Sequence, residues 1–271
     1  MKKTIIMSMA LAFVAALLSC SHNASGNAIV TDSCGVVQKF DTTQKVIYLV
    51  FTGHYSLNDS GRFENFDGVE PVLNTLKEKG VKGSFFPTAI TIEQPKYEPS
   101  IKRIIAEGHY LSAHSYAHLQ LCDDNGKTLV PADSIAADFK KMEAQLNRFG
   151  LTKEQYCWMI PPYETYNAET ADAMRSLGYK LLNPTSGLGT GMDWTTPGTK
   201  IYRSCEQILA NLWKYEEDNS MNGVILLIHA MNYPDRTDAD RPYMHLGEII
   251  DKLKAKGYTF KTLKDVMALD K

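Results

Sequence analysis

Neither sign of charge is in excess. The chain has 29 lysines and arginines against 31 aspartates and glutamates, a net charge of -2. That balance leaves no basic footprint for nucleic acid or for an anionic membrane surface. Heptads are missing and glycine is modest, at 18 of 271 residues, which excludes a coiled-coil rod and a collagen-like fibre. Apolar residues are not scarce: at 44% they exclude disorder as the main state. No C-x-x-C pair occurs, which argues against a cysteine zinc site. No second long apolar run follows the N-terminal one, and no Gly/Pro/Ser-rich linker, repeat or low-complexity segment interrupts the body of the chain. At this length one barrel-sized domain or two smaller domains can each bury a full core.

The N-terminus reads as an export signal. Lys2 and Lys3 precede an apolar stretch from Ile5 to Leu18, too short for a bilayer span but suited to a signal peptide. It ends in Leu17-Leu18-Ser19-Cys20, which resembles a bacterial lipobox. The expected organisation is a signal peptide over 1–19 and a lipidated N-terminus and tether over 20–45, with Cys20 acylated. The folded domain then runs over 46–271. The expected location is the bacterial cell envelope, periplasm or outer membrane, with membrane contact only through the lipid anchor. Cys34, Cys122, Cys157 and Cys205 remain; four cysteines allow three pairings, and export permits disulfides. Cys157, in a strand-like run, reads as a buried thiol.

From residue 46 onward short apolar runs alternate with segments of helical periodicity. Val46–Phe51 reads as a strand and Val69–Lys79 as a helix stopped by Gly80. The strand Lys82–Phe86, the helix Ile101–Glu107 and the strand His109–Ala113 follow. A long helix, Ser134–Phe149, buries Ile135, Phe139, Met142 and Leu146. Later come strands at Tyr156–Ile160, Tyr179–Leu182 and Val224–His229, and helices at Ala168–Leu177, Cys205–Tyr215 and Met244–Lys256. The short strand Thr259-Phe260 closes the series. A β-α series of this length implies a parallel sheet, and about seven units imply a closed barrel rather than two domains.

In such a barrel the chemistry lies where the strands end. Four of the chain's 7 histidines lie there: His54, His114, His118 and His229. His114 and His118 are spaced i, i+4, which on a helical turn places both rings on one side, able to hold one metal ion. His54, Asp67 and Glu164 are candidates for a third ligand. Other strand ends carry Pro161-Pro162-Tyr163-Glu164 and Asp193-Trp194.

The order H-S-x-x-H, P-P-Y, D-W, L-x-x-H resembles the polysaccharide deacetylases of the NodB homology domain, carbohydrate esterase family 4, over about residues 46–268. Gly80–Phe86 is similar to that family's G-V-K-A-T-F-F, and Gly108–Ser115 to its G-H-E-I-G-x-H-S/T. The resemblance implies an α/β fold, a distorted (β/α) barrel of seven or eight strands, and one divalent metal. It implies removal of acetyl groups from N-acetyl amino sugars, or from O-acetylated sugars in some members. Water on the metal attacks the acetyl carbonyl, an aspartate acts as base and a histidine protonates the leaving amine.

Two motifs depart from the family. T-F-D-D-G, which holds the base and a ligand, is matched by Val50-Phe51-Thr52-Gly53-His54. The Arg of R-x-P-Y, which tethers the base, is matched by Ile160. Base and tether are absent together, as expected if an unpaired arginine is costly. His54 and Glu164 stand beside the lost positions, so the site reads as rebuilt. His54, His114 and His118 are expected to bind Zn²⁺, with Co²⁺ or Ni²⁺ also compatible. Glu164 is the first candidate base and Asp67 the second, though an insertion at 56–65 separates Asp67 from the F-T-G-H motif. The resemblance makes His229 the general acid, Asp193 its orienting carboxylate, and the Tyr163 N–H an oxyanion donor. Trp194, with Tyr163 and Pro162, would contact substrate, an acetylated polysaccharide or oligosaccharide. The alternative is a catalytically inactive glycan-binding lipoprotein with an aromatic groove of Tyr55, Trp158, Tyr163, Tyr166 and Trp194.

Overall fold

A computed structural model describes residues 29–55, 65–233 and 235–269. The signal peptide 1–19 and the lipidation site Cys20 lie outside the described residues, as does most of the insertion at 56–65. In chain order the strands and helices are β1 (Val30–Thr31), β2 (Val37–Lys39), β3 (Val46–Gly53), α1 (Val69–Lys79), β4 (Ser84–Pro87), α2 (Ala89–Glu93), α3 (Glu98–Ala106), β5 (Tyr110–Leu111), α4 (Ala132–Arg148), β6 (Trp158–Met159), α5 (Ala168–Ser176), β7 (Lys180–Leu181), α6 (Cys205–Asn219), β8 (Ile225–His229), α7 (Leu246–Ala255), β9 (Thr259–Lys261) and α8 (Leu263–Leu269).

β3 is the hub. All eight of its residues are buried, as expected for a central parallel strand covered on both faces. It pairs in parallel with β8 on one side, and with β4 and β9 along the other, while β5 extends the sheet beyond β4. Its side chains alternate between two apolar clusters. Val46, Tyr48 and Val50 join an inner cluster with Phe86, Tyr110, Trp158 and Leu227. Ile47, Leu49 and Phe51 join an outer one with helix residues such as Leu73, Ile104 and Met142.

β6 and β7 form a separate parallel pair, and two seams, neither of them a ladder among the described residues, join it to the β3 sheet. Between β5 and β6, side chains span the gap. The Tyr110 hydroxyl donates to Trp158 O at 3.0 Å and accepts from Trp158 N at 2.9 Å, while Ser112 Oγ donates to Tyr156 O at 2.9 Å. On the other side, β2 bridges Leu182 through Val37 and Val224 through Lys39. The α/β barrel is therefore distorted in a specific way.

This second seam corrects the domain boundary. The expected tether ends at residue 45, yet Val36, Val37 and Phe40 are buried, and Phe40 packs edge-on to Trp158 at 5.5 Å. Residues 36–40 are part of the packed body because β2 fills the gap between β7 and β8. The expected strand at His109–Ala113 shortens to Tyr110–Leu111, although Ser112 N and His114 N still donate to Phe85 O and Pro87 O of β4. No disulfide joins Cys34, Cys122, Cys157 and Cys205 among the described residues, and Cys157 is half-buried rather than buried.

Candidate active site

Where β3 and β8 end, a cavity of about 310 Å³ opens, lined by Thr52, Gly53, His54, His114, His118, Tyr163, Glu164, Trp194, His229 and Tyr233. The ladder places its floor: Thr52 pairs with Phe86 on one side and His229 on the other. Gly53 has no room for a side chain, because a Cβ there would meet the Phe66 ring at 2.3 Å. Phe66 thus fills the space that a carboxylate at this position would need.

His114 and His118 do share the site, but not through a helical turn. Residues 112–120 are loop, with Ser115 and His118 in the left-handed region at φ 64° and 55°. The expected helical geometry is therefore corrected: the two left-handed residues, not helical periodicity, turn the rings together, with centroids 4.9 Å apart. His54 stacks on His118 at 4.5 Å and 14°, and Tyr163 covers His118 at 4.2 Å.

His114 Nδ1 lies 2.7 Å from Ile160 O, a pure acceptor, so Nδ1 carries the proton and Nε2 keeps its lone pair. Glu164 Oε1 stands 3.6 Å from that Nε2. The imidazoles are held neutral. Burial pushes His54 down to about 4, with the His229 charge adding to it. Burial takes His114 to about 3 against the opposing Ile160 hydrogen bond, and it holds His118 well below the ordinary value. Neutral imidazoles are the ligand form, so the donor set fits a zinc-type ion chemically. As the side chains stand, no trio among the described residues is arranged as a metal cage, and the His54–His118 stack faces ring to ring.

Tyr163 and Glu164 form a short 3-10 turn after Pro161, both left-handed at φ 57° and 53°. Non-glycine residues pay a steric cost there, and such positions cluster at functional sites. Burial raises the Glu164 carboxyl above its ordinary value; His229 opposes this and Asp193 reinforces it. His229 goes the other way from the three ligand candidates. Burial would lower it, but the Asp193 carboxylate, 2.5 Å from Nδ1, and Glu164 outweigh that and raise it. Asp193 Oδ2 also accepts the His229 backbone N–H at 2.8 Å.

The cavity therefore gathers His54, His114, His118, Tyr163, Glu164, Trp194 and His229, with Asp193 buried behind His229. Asp67 is not among its lining residues. Its Oδ1 accepts the Tyr97 hydroxyl at 2.8 Å and pairs with Lys96 at 2.6 Å, away from the histidines. Pro162 is buried and does not line the cavity either. Of the expected aromatic groove only Tyr163 and Trp194 reach the cavity, half exposed at 50% and 46%. Trp158 lies in the inner core, and Tyr166 bonds to Asp32 and Gln38. Tyr55 packs on the outer cluster.

Sequence reasoning missed Thr52 and Tyr233 as lining residues of the cavity. Tyr233 follows β8 in the same strand-end loop as His229, a signal that was readable.

The polysaccharide deacetylase family profile matches residues 39–182. The chain is 28% identical over 244 residues to the peptidoglycan-N-acetylmuramic acid deacetylase PdaA of Bacillus subtilis, covering 86% of this chain and 77% of that one. The structure of Bacillus subtilis PdaA, a family 4 carbohydrate esterase, superposes with a TM-score of 0.63 at 24% identity, covering 88% of this chain and 87% of that one. A CE4 family pseudoenzyme from Bacillus anthracis superposes with a TM-score of 0.61 at 18% identity, covering 85% of this chain and 68% of that one. At these identities the structural likeness speaks for the fold alone.

Proposed function

The chain belongs to the polysaccharide deacetylase family, and from that premise we propose that it is a metal-dependent hydrolase of acetylated carbohydrate. An N-acetyl amino sugar of a cell-wall polysaccharide is the first substrate class, in line with the name of its Bacillus subtilis relative. The observation that carries the reading is the meeting, in one cavity, of three neutral imidazoles with Glu164 and the His229–Asp193 pair.

His54, His114 and His118 would hold the metal, Zn²⁺ first among the candidates. When bound, it supplies Lewis-acid polarisation of the acyl carbonyl and a lowered pKa for water. Glu164 takes the proton from the attacking water, and burial, which raises its carboxyl, makes it a stronger base than an exposed glutamate. His229, whose protonated form Asp193 favours against burial, gives a proton to the amine as the C–N bond breaks, and acetate leaves. The Tyr163 backbone N–H would serve the developing oxyanion, and Trp194, which lines the same cavity, would wall the acetyl group. The N-terminal sequence supports delivery to the cell envelope through Cys20, with the lipid as the only membrane contact.

The test is acetate release from N-acetyl oligosaccharides and peptidoglycan fragments by metal-stripped and zinc-reloaded protein. Release that depends on zinc supports the reading; a zinc-loaded protein that releases none from any of them overturns it. The second reading, an inactive glycan-binding protein, draws on Thr52 and Ile160 in the places of base and tether and on the exposed Tyr163 and Trp194. It predicts saturable glycan binding without acetate release.

A further inference from the structure

The loop from Ser115 to His118 is gripped at every turn. Ala89 N donates to Ser115 O at 2.9 Å and Ile90 N to Tyr116 O at 3.2 Å, both from the start of α2. From the opposite side, α4 reaches in with one carboxylate. Asp138 Oδ1 accepts Tyr116 N at 2.7 Å and Oδ2 accepts Ala117 N at 3.0 Å. Ser115 Oγ accepts His118 N at 2.9 Å. The Asp138 side chain is buried on a helix face that is otherwise apolar. A carboxylate taken out of water to serve two backbone donors is a costly device, and these donors lie between His114 and His118.

We propose that Asp138 is a positioning residue that sets the separation of the His114 and His118 imidazoles, and so the affinity of this chain for its metal. This rests on the reading of the cavity as a metal site. Only a carboxylate meets the need: it presents two acceptors, whereas asparagine presents one and turns an NH₂ against the other N–H. Without that grip, two left-handed residues lose a restraint that offsets their strain, and the rings share the cavity less often. Partners that orient ligands typically change metal affinity about 10- to 100-fold when removed.

The experiment measures the zinc dissociation constant by competition with a chromophoric chelator, together with urea stability of the metal-free proteins. Variants are Asp138→Asn and, as a control on the same buried helix face, Met142→Ala. The expected result is a zinc constant weakened about 10- to 100-fold in Asp138→Asn, with Met142→Ala destabilised yet binding zinc like wild type. Equal affinity in Asp138→Asn and wild type overturns the proposal, as does equal weakening in Met142→Ala, which would make the effect one of stability alone. If Asp138→Asn does not fold, Asp138→Glu, which keeps both acceptors but displaces them, is expected to fold and bind more weakly; unchanged affinity there overturns the proposal. A wild-type protein that binds no zinc, cobalt or nickel defeats the metal reading itself, and this proposal with it.

Discussion

Asp193 holds His229 twice, by the ring through Oδ1 at 2.5 Å and by the backbone through Oδ2 at 2.8 Å. The carboxylate is buried, so the pair is a fixed unit rather than a surface encounter. Asp193→Asn keeps the shape and removes the charge that raises His229. The acid form then persists only at lower pH, so the alkaline limb of the kcat profile moves down. Loss of a positioned acid also lowers kcat, by about 10²- to 10⁴-fold. A pH–rate profile that keeps its alkaline limb in the variant would count against His229 as the acid.

Glu164 and Asp67 divide what sequence alone left open. Glu164→Gln is expected to cut acetate release about 100-fold or more at unchanged zinc content. Asp67→Asn should leave the rate within about threefold, because Asp67 answers to Tyr97 and Lys96 rather than to the cavity. Glu164→Gly is the sharper variant. Its φ of 53° suits glycine, so stability should stay within about 1 kcal/mol of wild type while activity is lost. A large loss of stability in Glu164→Gly would show that the carboxylate serves folding.

His109 makes acid stability readable. It is buried, its Nδ1 accepts the Gly83 N–H at 3.1 Å, and burial holds it down at about 4. A histidine lowered on folding binds fewer protons in the native state than in the unfolded chain. Its contribution is therefore intact above an unfolded pKa of about 6.5 and is lost as pH falls toward 4, with a slope of up to about 1.4 kcal/mol per pH unit. Urea midpoints at pH 7.5 and 5.0, in chelator, should fall more steeply for wild type than for His109→Gln. Parallel slopes would refute the assignment.

Arg236 is among the largest fully buried side chains of the described residues. Its guanidinium donates to Thr195 O at 2.7 Å, Arg203 O at 2.5 Å and Asp240 O at 2.7 Å, and it pairs with Asp240 at 3.0 Å. It ties the loop carrying Tyr233 to the segment after Trp194. Arg236→Met takes the donor away from the carbonyls of Thr195, Arg203 and Asp240, while the Asp240 carboxylate keeps Tyr202 and Cys205 N, and should cost about 2–4 kcal/mol. Arg236→Lys cannot reproduce the fork and should recover only part of this. Thermal melts followed by circular dichroism decide it; a melting temperature unchanged in Arg236→Met would remove the hub.

The helices were legible where local signals coincide. Val69–Lys79 matches its expected span because apolar spacing and the left-handed Gly80 cap agree on the same end. α4 and α5 come within a few residues for the same reason, with Gly150 and Gly178 behind them. The strands shrank instead. β5 and β6 read as runs of five residues and keep two, because each has a ladder on one side only and the gap between them is bridged by the Tyr110 and Ser112 side chains. β2 was missed because its contacts, Leu182 and Val224, lie far along the chain.

The sequence by itself determined the chemistry on offer. Strand-end histidines, the P-P-Y-E and D-W segments and the β-α order are local facts, and local patterns can be read without a fold. Only the tertiary structure decided which groups meet. It set Glu164 beside His114, gave Asp193 to His229, turned Asp67 toward Lys96, and brought the carboxylate of Asp138 under the histidine loop. Those meetings depend on contacts between residues far apart in the chain, made in directions that a buried β3 and its two neighbours impose. No spacing within a single segment encodes such directions.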